Sequence, residues 1–361
     1  MLACFSSNRP KRLKLALQAY AKQLEGHSLL VIDTDATHAE NEGRLPKRAL
    51  HYSETEIPEL LPDYAFAFRG KYGGNRNQAL AVAAARGEGV AFFDDDTLPL
   101  NDVMARHAAA IASGWKIVCG KYLGHAGGAQ NLILQLISEL SAEEPRVGRI
   151  REIFAGLPAQ ATGLIVGAGV NGGNLGISPE ACRSYAFYPT SHRVEDGIYA
   201  AFADRYLGAN SVYNPANSAE ATAKLPVVRH EMAAGKPSTL REKIEDEVRG
   251  TSLGVCIDRL LRGRETPNAE TVLPKRTAAT QVSFNEYLLP YLQKNAAQNK
   301  LTEKLNALGA PDEAREFAAL LSLTPEKLAL PEKEYLAKVN LFFETQSAWK
   351  PAVAEAEAKL K

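Results

Sequence analysis

The chain has 361 residues, 45% of them apolar and 23% charged, values of a globular protein large enough for more than one core. Lys plus Arg and Asp plus Glu each number 42, so the formal net charge is zero and the bulk charge draws the chain neither to nucleic acid nor to an anionic membrane. Four widely spaced cysteines, Cys4, Cys119, Cys182 and Cys256, make no CxxC pair, which argues against a zinc site and a disulfide scaffold and fits a reducing compartment.

In chain order, "LACF" reads as a strand, and Pro10 opens a helix to about Leu24. "SLLVID" is a second strand ending at Asp33, "ALHYS" a third and "AFAFR" a weaker fourth. The Ala-rich "NRNQALAVAAARGEG" is helical and is stopped by Gly87 and Gly89. "VAFF" is the next strand, "NDVMARHAAAIASG" a helix and "WKIVCGKYL" a strand. This alternation predicts an α/β fold, a mostly parallel sheet with helices on both faces and ligands at the carboxyl ends of the strands. The glycine-rich "GLIVGAGVNGGNLG" follows, then a helix in "EDGIYAAFADRYLG" and strand-like "NSVYNP" and "LPVVRHE". Beyond about Pro237 the chain becomes helical and charged, and residues 241–361 read as a C-terminal helical unit. Its amphipathic segments are suited to packing on the first unit, to self-association as a homo-oligomer, or to a membrane surface. No stretch approaches the roughly 20 apolar residues of a transmembrane segment, and the opening residues lack a signal-peptide pattern. The expected location is cytoplasmic, with a peripheral place at the inner membrane face left open.

"GVAFFDDDTLPL" sets three aspartates behind a buried strand. Like charges beside an apolar core are costly unless neutralised. On an extended backbone Asp94 and Asp96 face one way and Asp95 the other, and two such carboxylates suit Mg²⁺ or Mn²⁺. A solvated acidic turn is the plainer alternative. Just upstream, Arg69, Lys71 and Arg76 surround Gly73 and Gly74 before a helix start, a setting suited to phosphate.

"GGNRNQALAVAAARGEGVAFFDDDTLP" resembles the segment of GT-A glycosyltransferases, especially family 2, in which an Arg-Asn-containing helix leads into a strand ending in the metal-binding DxD. "CFSSNRPKRLKLALQAY" resembles that family's first strand and turn, and "LLVIDTDATHAEN" its second strand, whose terminal Asp meets the nucleotide base. The resemblance implies a nucleotide-sugar-binding half at 1–100, an acceptor half at 101–240 and a helical domain at 241–361. It implies donor contacts at Ser6, Asn8, Asp33, Asp35, Arg69, Lys71, Arg76, Asn77, Asp94 and Asp95. Metal ligands would be Asp94, Asp96 and His230. "VNGGNLG" places acceptor contacts at Asn171, Gly172, Gly173 and Asn174, and Glu195-Asp196 at the next helix start supplies the catalytic base, Asp196, with Glu195 beside it. The implied reaction is metal-dependent transfer of a sugar from a UDP- or GDP-sugar to a hydroxyl of a carbohydrate or other acceptor, with inversion. Retaining GT-A enzymes of the glycerate-glycoside synthase type are the alternative. "VIDTDAT" also fits the DxDx(T/V) pattern of haloacid-dehalogenase-type phosphatases, with Asp33 and Asp35 catalytic, but that leaves Glu195-Asp196 and the Gly-Gly-Asn turn without roles. Sugar nucleotidyltransferases need a glycine-rich loop that "FSSNRPKR" lacks, and a non-catalytic nucleotide-binding protein leaves the acids unexplained.

Overall fold

The computed structural model describes residues 1–123, 128–157, 164–165, 172–207, 212–213, 224–230 and 238–360. Strands form where short β-branched and aromatic runs sit between turn residues. They are β1 (Leu2–Ser7), β2 (Ser28–Asp33), β3 (Leu50–Ser53), β4 (Val90–Asp94), β5 (Thr97–Pro99), β6 (Ile117–Cys119), β7 (Lys121–Leu123), β8 (Leu164–Ile165), β9 (Asn174–Ile177), β10 (Val212–Tyr213) and β11 (Val227–His230). Among the described residues, one sheet runs β10-β6-β9-β4-β1-β2-β3 and a smaller one β5-β11-β7-β8. β1 lies parallel to β2 and β4, and β2 to β3, as the strand–helix alternation predicts. β9 runs antiparallel between β4 and β6. The fold is mixed α/β with a mostly parallel central sheet.

Both faces of this sheet are buried. Leu2, Cys4, Leu30, Ile32 and Phe92 point to one side, against Ala79–Ala84 of the helix Gly73–Ala85. Alternate residues Ala3, Phe5, Val31 and Phe93 meet Leu13, Ala16 and Tyr20 of the helix Pro10–Tyr20 on the other. That period-two division explains why β1 and β2 read as unbroken apolar runs.

Two local readings differ from the fold. "AFAFR" forms a short helix, Ala65–Phe68, not a strand; four residues of alternating Ala and Phe satisfy either period. "WKIVCGKYL" breaks at Gly120 into β6 and β7, which belong to different sheets. A side chain at Gly120 would run into that of Asn174, so the crossover needs glycine. Thr239 and Glu242 form a reciprocal cap, and the helix Leu240–Gly263 continues past Gly250, where a Cβ would strike the carbonyl of Arg193.

The helices beyond Thr239 pack on both sides of the sequence boundary expected at residue 240. Trp349, Ala352, Val353 and Ala356 of the last helix, Glu332–Lys359, share a core with Leu2 and Leu30 of the sheet. Leu132, Leu136 and Ile150, from the preceding half, join Leu289, Leu305 and Phe317 in another core. All four cysteines are free and buried. Among the described residues, no helix is long and apolar enough to cross a membrane.

Candidate active site

Because β1 and β4 are parallel neighbours with Ser6 opposite Asp94, their carboxyl ends open side by side. A cavity of about 570 Å³ lies there. Ser6, Asn8, Lys71, Asp94, Asp95, Asp96 and His230 are among the residues that line it. Asn75 at the start of the Gly73 helix donates to Ser6 Oγ at 3.1 Å.

The three aspartates meet different environments. Burial and then the charge of Asp96 push Asp94 up to about 6, against the pull of Arg76. Asp95, only 4% exposed, is clamped. The Ser7 hydroxyl and the Arg9 guanidinium both donate to it, with Arg9 Nε 3.1 Å from Oδ2. Asp96 is shared: its Oδ2 accepts from Arg9 Nη2 at 2.9 Å, and its Oδ1 lies 3.5 Å from His230 Nε2. The chain's own cations thus offset the repulsion within the triplet. His230 reaches Asp96 because β11 pairs antiparallel with β5 in the register His230 to Thr97.

Arg76, which lines the cavity, reaches out to Glu195 and to Gly172. From the Gly73 helix it donates to Glu195 Oε1 at 3.2 Å and to the Gly172 carbonyl at 2.7 Å, with its guanidinium over the Phe92 ring. Glu195 is buried, and burial followed by the charge of Asp196 raises its pKa while Arg76 opposes the shift. Asp196 accepts from the backbone N–H of Gly172 at 2.8 Å and of Gly197 at 2.7 Å. The residue before this pair, Val194, has φ of 76°, a strained conformation for a β-branched side chain. A Cβ on Gly173 would strike the Asp94 carboxylate and the Tyr122 hydroxyl, so the glycine turn lies directly against Asp94.

The remaining candidates divide. Ser6, Asn8, Lys71, Arg76, Asp94, Asp95, Asp96 and His230 converge on the cavity. Asp33 lines it too, but its carboxylate already accepts from His38 Nδ1 at 2.8 Å, His51 Nε2 at 2.7 Å and Asn41 Nδ2 at 2.8 Å. Asp35 is exposed and accepts from Thr55 instead of facing a donor. Arg69 is exposed and does not line the cavity. Asn77 is fully buried and bonded to the backbone of Ala67 and Phe187, a structural position and not a donor contact. Asn174 is likewise buried, spending its amide on the carbonyls of Lys121 and Pro226 and its oxygen on His107. Asn171 lies outside the described residues. Sequence reasoning gave no role to Arg9, Glu54 or Arg193, which also line the cavity. Arg9 sits inside the "SSNRP" motif, which was its available signal; Glu54 and Arg193 carry none.

Asp94, Asp96 and His230 offer two carboxylates and an imidazole, a donor set that suits Mn²⁺ or Mg²⁺. The group of ligand atoms within 4.8 Å of one another, among the described residues, is Asp33, His38 and His51. Its imidazoles stack 3.9 Å apart at an interplanar angle of 21°. An ion bonds an imidazole nitrogen in the plane of its ring, and two nearly parallel planes do not meet at a shared ion. This trio is a hydrogen-bonded clasp around Asp33.

No family model matches the chain, and no curated protein matches it. Among solved structures, a mycobacterial protein is 15% identical over 74% of this chain and 76% of its own, with a TM-score of 0.45. Glucosyl-3-phosphoglycerate synthase from Mycobacterium tuberculosis is 16% identical over 74% of this chain and 82% of its own, with a TM-score of 0.44. The same synthase in complex with Mn²⁺, UDP and phosphoglyceric acid gives 18%, 58%, 66% and 0.38. Likenesses at these scores leave the chemistry to the residues of the site itself.

Proposed function

We propose that the chain is a GT-A-fold glycosyltransferase that moves a sugar from a nucleotide-diphosphate sugar to an acceptor hydroxyl in a metal-dependent reaction. The observation that carries this reading is convergence. Asp94, Asp96 and His230 face one cavity at the carboxyl ends of parallel strands; the Gly172–Gly173 turn abuts Asp94, and Asp196 and Glu195 are tied to Gly172 and to Arg76. Asp94, Asp96 and His230 would hold Mn²⁺ or Mg²⁺, which when bound supplies a Lewis acid for the departing nucleoside diphosphate. Ser6, Asn8 and Lys71 orient the diphosphate. Arg76 holds Glu195 and the Gly172 carbonyl, and so fixes the acceptor turn relative to the acids. Asp196, oriented by two backbone N–H groups, receives the proton of the acceptor hydroxyl as it attacks the anomeric carbon with inversion.

Saturation of the site by a cognate ligand at 100 times its Kd raises stability by about 2.7 kcal/mol. Thermal-shift screening of UDP- and GDP-sugars with Mn²⁺ therefore identifies the donor. With that donor, Asp196→Asn is expected to lower kcat about 10²–10⁴-fold with donor Kd unchanged, and product NMR is expected to show inversion. Near-normal kcat in the variant, or a retained anomer, removes Asp196 as base.

A second reading is retaining transfer to an anionic acceptor such as the phosphoglycerate named for the mycobacterial synthase. Arg193 on the cavity wall favours it, as do the hydrogen bonds already made by both oxygens of Asp196. The same NMR experiment separates the two.

A further inference from the structure

Arg9 is the cavity residue whose placement the reaction does not by itself demand. It stands just beyond the end of β1, next to the end of β4, and its guanidinium divides between two acids. Through Nε and Nη2 it grips Asp95, which the Ser7 hydroxyl holds from the other side. Nη2 also reaches Asp96 Oδ2 at 2.9 Å. His230 Nε2, from the same proposed ligand set, lies 3.5 Å from Oδ1, so Oδ2 is the oxygen that Arg9 holds. A divalent cation held by Asp96 would meet the Arg9 guanidinium on the same carboxylate, so the two positive charges compete for this acid. Of the two acids, Asp95 is the more buried and the more heavily bonded, so it anchors Arg9, whereas the Asp96 contact is the one that opens. The Arg9 side chain is 37% exposed and lines the same cavity as Asn8 and Lys71.

We infer that Arg9 is a resident counter-cation that trades its contact with Asp96 for the donor diphosphate when the divalent ion arrives. Resting on the metal-dependent reading above, this makes metal and nucleotide bind as a coupled pair. Ion alone must displace a charge-assisted bond, and nucleotide alone finds Arg9 still turned to Asp96. Together, each accepts the partner that the other frees. Coupling of this kind is reciprocal.

The test uses the full chain, with Mn²⁺ followed by electron paramagnetic resonance of the free ion and UDP or GDP by calorimetry. Wild type is expected to bind Mn²⁺ weakly alone and more tightly with the nucleotide. Arg9→Gln is expected to bind Mn²⁺ alone about tenfold more tightly, a change of about 1.4 kcal/mol, and to gain less from the nucleotide. Arg9→Lys, which keeps the charge without the fork, is expected between the two. Equal or weaker Mn²⁺ binding by Arg9→Gln, with the coupling of wild type, overturns the exchange and leaves the glycosyltransferase reading in place. No Mn²⁺ binding by wild type or variant, with either nucleotide, overturns both.

Discussion

At the scale of single residues, Asp33 shows how a correct placement can hide a second duty. Its position at the end of β2 is legible from "SLLVID", and it does line the cavity. What "VIDTDATHAEN" does not reveal is that His38 and Asn41, from the helix Asp35–Glu42 that follows, and His51, from the next strand, fold back onto its carboxylate. Those partners come from two further elements, the helix Asp35–Glu42 and β3, and only the fold brings them together. Replacing one partner of a buried charged network leaves the others unsatisfied. Asp33→Asn is therefore expected to cost about 2–4 kcal/mol in urea unfolding. Unchanged stability with weakened UDP or GDP binding would assign the carboxylate to the nucleotide base alone. Asn77 and Asn174 make the converse point. Short polar side chains in glycine-rich or helix-opening motifs look like ligand contacts, yet here both satisfy buried backbone carbonyls.

At the scale of elements, β9 and the helix Val103–Ala112 meet through His107, whose Nε2 lies 2.9 Å from Asn174 Oδ1. Burial, only partly opposed by that hydrogen bond, lowers the pKa of His107 to about 4. An unfolded histidine titrates near 6.5, so the unfolded chain binds the extra proton first as pH falls. Stability is full above about pH 6.5 and is lost between there and about pH 4, by about 3 kcal/mol from this residue. Urea unfolding at pH 7 and pH 4.5 checks this. His107→Gln keeps a side-chain donor without a titrating ring and is expected to show a shallower loss across the same window; an identical slope would place the sensitivity elsewhere. The strand–helix alternation was readable here, but the direction of β9 was not. Antiparallel insertion depends on the crossover at Gly120, and a four-residue strand with glycine inside it carries little period of its own.

At the scale of the whole molecule, the helical C-terminal segment was legible as helix and illegible as partner. Its last helix runs on through Pro351 and presses against the helix that carries Arg76. Trp349 is wholly buried there, its indole N–H donating to the Cys182 carbonyl at 3.0 Å and its ring centroid 5.8 Å from that of Phe68. Trp349→Ala is expected to cost about 3–5 kcal/mol and to lower nucleotide affinity through the Arg76 helix, measured by thermal unfolding and calorimetry. A loss confined to the last helix, with the sheet's melting unaltered, would mean that the segment folds by itself. The arrangement of β9 has a consequence in time as well as in space. A strand laced to β4 on one edge and to β6 on the other leaves the sheet only when both ladders open at once. Its amides at Leu175 to Ile177, with those of Ala91 to Phe93, should then exchange with deuterium only through global opening. The acids at the end of β4 and the glycine turn entering β9 would accordingly share one clock: slow breathing that separates them is denied to the folded chain, and any motion that opens the cavity has to take place around that seam.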